Sequence, residues 1–297
     1  MRELLDEAVA RRATLLTAES DAVRLIDGAG DALPNLFLES FAGRLLLSTT
    51  DGQSPPGMAA WLRERGAPSY VKRLDQHQKE CPQHLCGPEV GEPFLIRENG
   101  MSFEISFQSG HSQGIFLDQR DNRAEVRRRM GPGQRLLNTF AHTGAFSVAA
   151  ATAGAETTTL DLSQPYLDWA KRNLSHNLIE PAVHHFCKGD TFHWLRRFAK
   201  QGRRFDGIVL DPPTFSRDGK GRVFRVEKDF DELTARAAEI LSPSGWLLCC
   251  TNFRGMSPSD FERLTTSHLP RLMKARHAAM PPDFTAPPYL KSLWLEC

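Results

Sequence analysis

Five short strand-like runs, each closing on or just before a polar residue, alternate with helix-periodic segments through the second half of the chain. No other feature constrains the fold as strongly. The runs are residues 135–138, 157–160, 184–188, 205–210 and 246–251. Residues 145–153, 164–177, 191–200, 228–241 and 258–269 follow them in turn, with apolar residues at helical spacing. Parallel strands need a long crossover, and a helix supplies it. The rhythm therefore predicts an α/β domain with a mostly parallel sheet.

The first hundred residues read differently. Leu4, Leu5, Ala8, Val9, Arg12 and Leu15 recur at the spacing of an amphipathic helix over residues 3–16. Strand-like runs follow at 22–27, 36–38, 44–48 and 69–73, with a short helix at 58–65. Residues 94–97 and 102–107 flank Glu98-Asn99-Gly100-Met101, and Asn-Gly tolerates the positive φ angles of a tight hairpin turn. Residues 77–86 read as a loop. The expected organisation is a small β-rich α+β domain over 1–107 and an α/β domain over 108–297.

Composition is that of a globular protein, with 40% hydrophobic and 25% charged residues in 297. No apolar run reaches the roughly 18 residues of a membrane helix. Acids in Met1-Arg2-Glu3-Leu4-Leu5-Asp6-Glu7 stand where a signal peptide is apolar, so a cytoplasmic, non-membrane protein is expected. Residues 1–110 hold 11 Lys+Arg against 16 Asp+Glu, whereas residues 111–297 hold 26 against 20. The second part is thus the one expected to face a polyanion. Cys81 and Cys86 lie near His77 and His84, but their spacing is not that of a zinc pair and no second pair follows. No metal is expected.

Ligands of open α/β sheets bind beyond the carboxyl ends of the strands, and four clusters lie there. In Asn138-Thr139-Phe140-Ala141-His142-Thr143-Gly144-Ala145, Gly144 permits close backbone approach ahead of a helix N-terminus. The cluster lacks the GxGxxG pattern and the P-loop lysine, which disfavours a dinucleotide or ATP. Asp161, in Thr159-Leu160-Asp161-Leu162-Ser163, suits hydrogen bonding to a ribose diol, with Ser163 as the expected cap of the next helix. Asp190, before Thr191, suits an adenine amino group and a helix cap equally. Asp211-Pro212-Pro213-Thr214-Phe215 forms a stiff turn able to hold carbonyls and an aromatic ring against a planar substrate, or simply a turn with Phe215 in the core.

The order of these clusters resembles that of class I S-adenosylmethionine-dependent methyltransferases, whose fold is Rossmann-like with a mostly parallel seven-stranded sheet. Gly114-Ile115-Phe116-Leu117-Asp118-Gln119-Arg120-Asp121-Asn122-Arg123 closely resembles the signature of bacterial 23S rRNA base methyltransferases, a group with cytosine-5 and guanine-N7 members. The similarity runs over roughly residues 20–260. It implies S-adenosyl-L-methionine as cofactor and RNA, 23S rRNA in particular, as partner. It implies that Arg120 lines the cofactor site, that Phe140, Thr143 and Gly144 approach the methionine portion, and that Asp161, beside Leu162, takes the ribose. Asp190 and Thr191 would take the adenine side, and Asp211, Pro212 and Pro213 would flank the methyl group and target base. The PUA domain of the cytosine-5 members is expected to be missing. Arg127-Arg128-Arg129 adds basic charge that a helix would offer to phosphates.

The acceptor atom turns on cysteine placement. A ring nitrogen has its own lone pair, whereas cytosine carbon 5 needs a thiolate to add first at carbon 6. In Gly245-Trp246-Leu247-Leu248-Cys249-Cys250-Thr251-Asn252-Phe253-Arg254-Gly255, Asn252 occupies the position of the catalytic cysteine of the cytosine-5 relatives, and the guanine-N7 relative also has asparagine there. Nitrogen methylation is therefore favoured, with a cytosine-5 enzyme using Cys250 as the alternative. A non-catalytic RNA-binding protein fits poorly with the intact acidic strand ends. A small-molecule methyltransferase fits poorly with the basic bias.

Overall fold

The computed structural model describes residues 1–74, 80–110, 112–217, 221, 223–269 and 273–296. Its chain divides into two compact units, Met1–Arg120 with Pro281–Pro288, and Asp121–Met280 with Tyr289–Cys297. The boundary read from the sequence, after residue 107, falls short of this division, and the return of 281–288 to the first unit has no signal in the sequence.

The first unit runs α1 (Arg2–Arg12), β1 (Ala22–Asp27), β2 (Leu36–Phe41), β3 (Arg44–Thr49), α2 (Met58–Glu64), β4 (Ser69–Arg73), β5 (Gln83–Cys86), β6 (Phe94–Glu98) and β7 (Met101–Ile105). The first five strands form one sheet in the order β1-β2-β3-β4-β5, and α2 makes the crossover that lets β4 run parallel to β3. β5 lies inside the stretch expected to be a loop, because pairing with β4 overrides its weak local pattern. Leu5 and Ala8 of α1 and Trp61 and Leu62 of α2 share a buried cluster with Val23, Leu38 and Leu47 of the sheet. β6 and β7 pair as the Asn-Gly hairpin, with Asn99 at φ 51° and Gly100 at φ 77°, the positive pair that a type I′ turn requires.

Residues 281–288 join this unit through charge. Asp283 is fully buried, and its carboxylate accepts from Arg120 Nη2 (2.5 Å), Arg120 Nη1 (3.2 Å) and the Arg24 backbone N–H (2.9 Å). The Asp283 carbonyl accepts from Nε and Nη2 of Arg12, each at 3.0 Å. Arg12, which shares the helical spacing of the apolar residues around it, is buried against Asp31 at 2.9 Å. Asp27 closes the same segment by accepting from the Ala286 N–H at 2.7 Å.

α3 (Arg120–Arg129) crosses the division at its first residue. The second unit continues with β8 (Arg135–Thr139), α4 (Ala145–Thr152), β9 (Glu156–Asp161), α5 (Gln164–His176), β10 (His185–Lys188), α6 (Thr191–Lys200) and β11 (Phe205–Leu210). Then come β12 (Phe215–Arg217), β13 (Val223–Arg225), α7 (Val226–Glu239), β14 (Leu241–Thr251), α8 (Pro258–Thr266), β15 (Lys274–Ala278) and β16 (Lys291–Glu296). Seven strands form one sheet, ordered β10-β9-β8-β11-β14-β16-β15. The first five are parallel, and β16 runs antiparallel to both neighbours. This is the Rossmann-like α/β architecture expected. β12, β13, β15 and β16 were not anticipated; β15 has Lys274, Arg276 and His277 among its five residues and shows no apolar run. Leu137, Leu160, Ile208, Leu247 and Leu293 of the sheet pack with Phe198, Phe230 and Phe261 of the helices.

Removing one partner of a buried, hydrogen-bonded ion pair costs about 3–5 kcal/mol. Asp283→Ala is therefore expected to destabilise the first unit by about that amount. The check is the urea midpoint; a midpoint equal to that of the wild type would show that Asp283 does not tie this segment.

Candidate functional site

The chain leaves β8 outward to β9 and β10, then returns to β11 on the other side of β8. The strand order thus reverses between β8 and β11, and ligand crevices form at such switch points. Thr139 and Leu210 are register partners there, so Phe140 and Asp211 emerge side by side.

The turn after β8 is conformationally expensive. Phe140 (φ 51°), His142 (φ 50°) and Gly144 (φ 76°) all lie in the left-handed region, which costs non-glycine residues on the order of 1–3 kcal/mol. The Asp161 carboxylate holds it: Oδ2 accepts from the His142 N–H and Oδ1 from the Ser163 N–H, each at 2.8 Å. Burial pushes this carboxyl above its ordinary value of 3.8, and the Ser163, His142 and Leu162 N–H groups pull it back in part. Asn173 Nδ2 donates to the Thr143 carbonyl at 2.9 Å. Beneath the turn, Ser147 Oγ is shared by Asn138 Nδ2 (3.0 Å) and Thr159 Oγ1 (2.8 Å), which locks β8, β9 and α4 together.

Phe140, Asp161, Leu162, Asp190 and Thr191 line one cleft, so five of the residues singled out from sequence are brought together. Thr143 and Gly144 form the turn behind it. Ser163 caps α5 as expected, but Asp161 is held by backbone N–H groups and is not left free. Asp190 caps α6 by accepting from the His193 N–H at 2.8 Å while also lining the cleft.

Phe192, Ser216 and Phe224 complete the lining and were missed. The last two come from the β12–β13 hairpin that follows Asp211-Pro212-Pro213. Its signal was the alternation in Phe215-Ser216 and Val223-Phe224-Arg225 around Gly221. Pro212 is buried, Pro213 is exposed and Asp211 is half-buried. Phe215 is 50% exposed rather than in the core, with the Arg225 guanidinium 5.5 Å from its ring centre.

At the carboxyl end of β14, Asn252 is exposed, whereas Cys249 and Cys250 are fully buried. Burial pushes the Cys249 thiol up. Cys250 Sγ lies 3.8 Å from Ser292 Oγ.

Two groups of basic residues have acidic partners that the sequence did not signal. Arg120 belongs to the first unit, where Asp283 binds it. Arg128 is paired with Glu125 at 2.7 Å, and Arg129 with Glu125 and Glu296 at 2.6 Å each, so this run is largely matched by acids. Among the described residues no group of three or more His, Cys, Asp or Glu could hold a metal, and His77 lies outside them. No described helix is long and apolar enough to cross a membrane.

A sequence profile described as S-adenosylmethionine-dependent methyltransferase matches residues 55–292. The ribosomal RNA large subunit methyltransferase of Deinococcus radiodurans is 32% identical over 98% of this chain and 78% of its own length. Ribosomal RNA large subunit methyltransferase K of Neisseria meningitidis is 37% identical over 69% of this chain and 61% of its own. Ribosomal RNA large subunit methyltransferase I of Erwinia tasmaniensis is 32% identical over 82% and 64%, so the chain spans under two thirds of the last two relatives. A crystal structure assigned as a methyltransferase and solved with S-adenosylhomocysteine superposes with TM-score 0.89 at 28% identity, covering 100% of this chain and 80% of that one. An S-adenosylmethionine-dependent methyltransferase from Agrobacterium tumefaciens shares the fold at TM-score 0.72 and 21% identity, covering 94% and 90%.

A Cβ on Gly144 would stand 2.6 Å from the Ala170 Cβ, in a backbone conformation that disfavours side chains. Gly144→Ala is expected to cost on the order of 2–4 kcal/mol, read as a lowered denaturant midpoint. A midpoint within experimental error of wild type would mean that α4 does not depend on this close approach to α5.

Proposed function

The chain belongs to the S-adenosylmethionine-dependent methyltransferases, and from that premise we propose that it methylates a ring nitrogen of a nucleobase in large-subunit ribosomal RNA. The relatives named for that RNA support the acceptor class, as does the excess of Lys+Arg over Asp+Glu in residues 111–297.

The cleft suits a nucleoside. Phe140, Leu162, Phe192 and Phe224 offer apolar walls to a planar base, and two carboxylates stand at its polar edge. Asp161, with each oxygen already oriented by a backbone N–H, keeps acceptor capacity for two ribose hydroxyls. Asp190 and Thr191 face the adenine side, and the turn of Phe140, Thr143 and Gly144 holds the amino-acid portion. When bound, S-adenosylmethionine supplies a methyl group on a sulfonium. The protein aligns the acceptor lone pair with it and excludes water. Asp211 and the rigid Pro212-Pro213 turn position the base, and Asn252 orients it by hydrogen bonding.

The observation that carries the nitrogen reading is the carboxyl end of β14, which presents an amide to solvent and keeps both thiols fully buried. Carbon-5 chemistry needs a thiolate at the base, and a thiol sealed in a core is out of its reach.

Calorimetry with S-adenosylhomocysteine tests the cofactor site. Losing hydrogen bonds to a charged acceptor costs about 1.5–3 kcal/mol, so Asp161→Ala should weaken binding roughly ten- to a hundredfold. Because burial raises the Asp161 carboxyl, its charged form is lost earlier on acidification than that of an exposed aspartate. Affinity should accordingly fall as the pH is lowered toward the carboxylate range, and Asp161→Asn should flatten this dependence. Equal affinity and an equal pH profile in a folded Asp161 variant would remove the residue from the site.

Methylation of ribosomal RNA tests the chemistry. Cys249→Ala and Cys250→Ala should remain active, while Asp211→Ala and Asn252→Ala should lose on the order of a hundredfold in rate through misplacement of the base. RNA containing 5-fluorocytosine should form no covalent adduct. An adduct lost specifically in Cys250→Ala would establish cytosine-5 methylation instead.

A further inference from the structure

The loop leaving β14 and the start of β16 place two cations together without an acid. Lys291, the register partner of Thr251, is only 8% exposed. Its ammonium donates to the carbonyls of Phe253 (2.7 Å) and Tyr289 (3.0 Å). An ammonium has three N–H groups, so one remains. Arg254 is exposed, with its guanidinium 5.0 Å from the centre of the Tyr289 ring. Neither cation has a carboxylate within ion-pair distance among the described residues. Burial lowers the Lys291 pKa, and the charge of Arg254 lowers it further.

Buried charges in folded proteins are normally matched. A lysine that served only to staple the β14 loop to β16 would gain nothing from an arginine beside it. The arrangement makes sense for a group that completes it with negative charge. Its position specifies which one. Cys249 is the register partner of Leu210, so Asn252 and Asp211 leave neighbouring strands at the same end of the sheet.

We propose that Lys291 and Arg254 form a phosphate subsite that holds a phosphodiester flanking the acceptor nucleotide. The inference rests on the reading of RNA as acceptor. Arg254 supplies a planar fork that matches two phosphate oxygens, Tyr289 beneath it restricts its rotamers, and Lys291 supplies the remaining N–H. The same two carbonyl bonds of Lys291 fix the backbone around Phe253, which couples phosphate binding to the placement of Asn252.

The test uses the full chain and a fluorescently labelled, mixed-sequence oligoribonucleotide, titrated by anisotropy over a range of KCl concentrations. Calorimetry with S-adenosylhomocysteine runs in parallel. Arg254→Ala should weaken RNA binding at low salt and reduce the slope of log affinity against log salt by about 0.7, the value for one single-strand phosphate contact. Cofactor affinity should stay at the wild-type value. Lys291→Met should shift the slope in the same direction; if it fails to fold, Arg254→Ala decides alone. An unchanged slope in Arg254→Ala overturns the subsite. So does a loss of cofactor affinity, which would assign the cations to the cofactor's own carboxylate. A wild-type protein that binds S-adenosylhomocysteine but no RNA would instead refute the RNA reading, and the subsite with it.

Discussion

The carboxylate of Asp161 closes β9 in a half-buried position, where an ion is unfavourable unless hydrogen bonds replace the water it loses. Backbone N–H groups of His142, Leu162 and Ser163 do so. The exchange works in both directions. The carboxylate becomes tolerable inside the fold, and the turn from Phe140 to Gly144 is held in left-handed conformations it would not otherwise keep. The start of α4, the orientation of Phe140 and the first residues of α5 all follow from it. A residue whose proposed role is to bind a ribose is thus first a structural one, which is why its oxygens are already aimed before any ligand arrives.

Asp283 plays a comparable part in the first unit. It gathers Arg120, Arg12 and the Arg24 backbone around one buried point, and Asp27 secures the neighbouring Ala286. The two clusters differ in chemistry. Asp161 is satisfied by neutral backbone donors and retains lone pairs for a ligand, whereas Asp283 is satisfied by a guanidinium fork that occupies both oxygens. The first arrangement is suited to binding and the second to holding a chain segment in place.

The end of β14 shows how one strand sorts its polar groups. Cys249 packs into the core between the sheet and its helices, and Cys250 faces the opposite way toward Ser292. Neither reaches solvent. Pairing with β16 ends at Thr251, so Asn252 is the first residue released from the sheet, and the Lys291 ammonium fixes the carbonyl that follows. The exposed amide is therefore a consequence of where the ladder stops, and that position governs which acceptor chemistry is open to the proposed active site.

The α/β rhythm, the acids at the strand ends, the Ser163 cap and the Asn-Gly hairpin were all legible in the sequence, because each depends on residues within a few positions of one another. Periodicity and turn chemistry are local properties, and a strand buried on both faces announces itself by composition. Tertiary structure decided the rest. Arg12 meets the Asp283 carbonyl across 271 positions of chain, and nothing near either residue signals the other. β12 and β13 are three residues each, too short for a period to register, yet they carry Ser216 and Phe224 into the cleft. Lys274, Arg276 and His277 hide β15, since an edge strand needs no apolar run. The sequence by itself determined the alternation of the five parallel strands with their helices and the acids that close those strands. Which N–H groups bind those acids, and which cations stand without a carboxylate, was decided only when long-range packing took their water away.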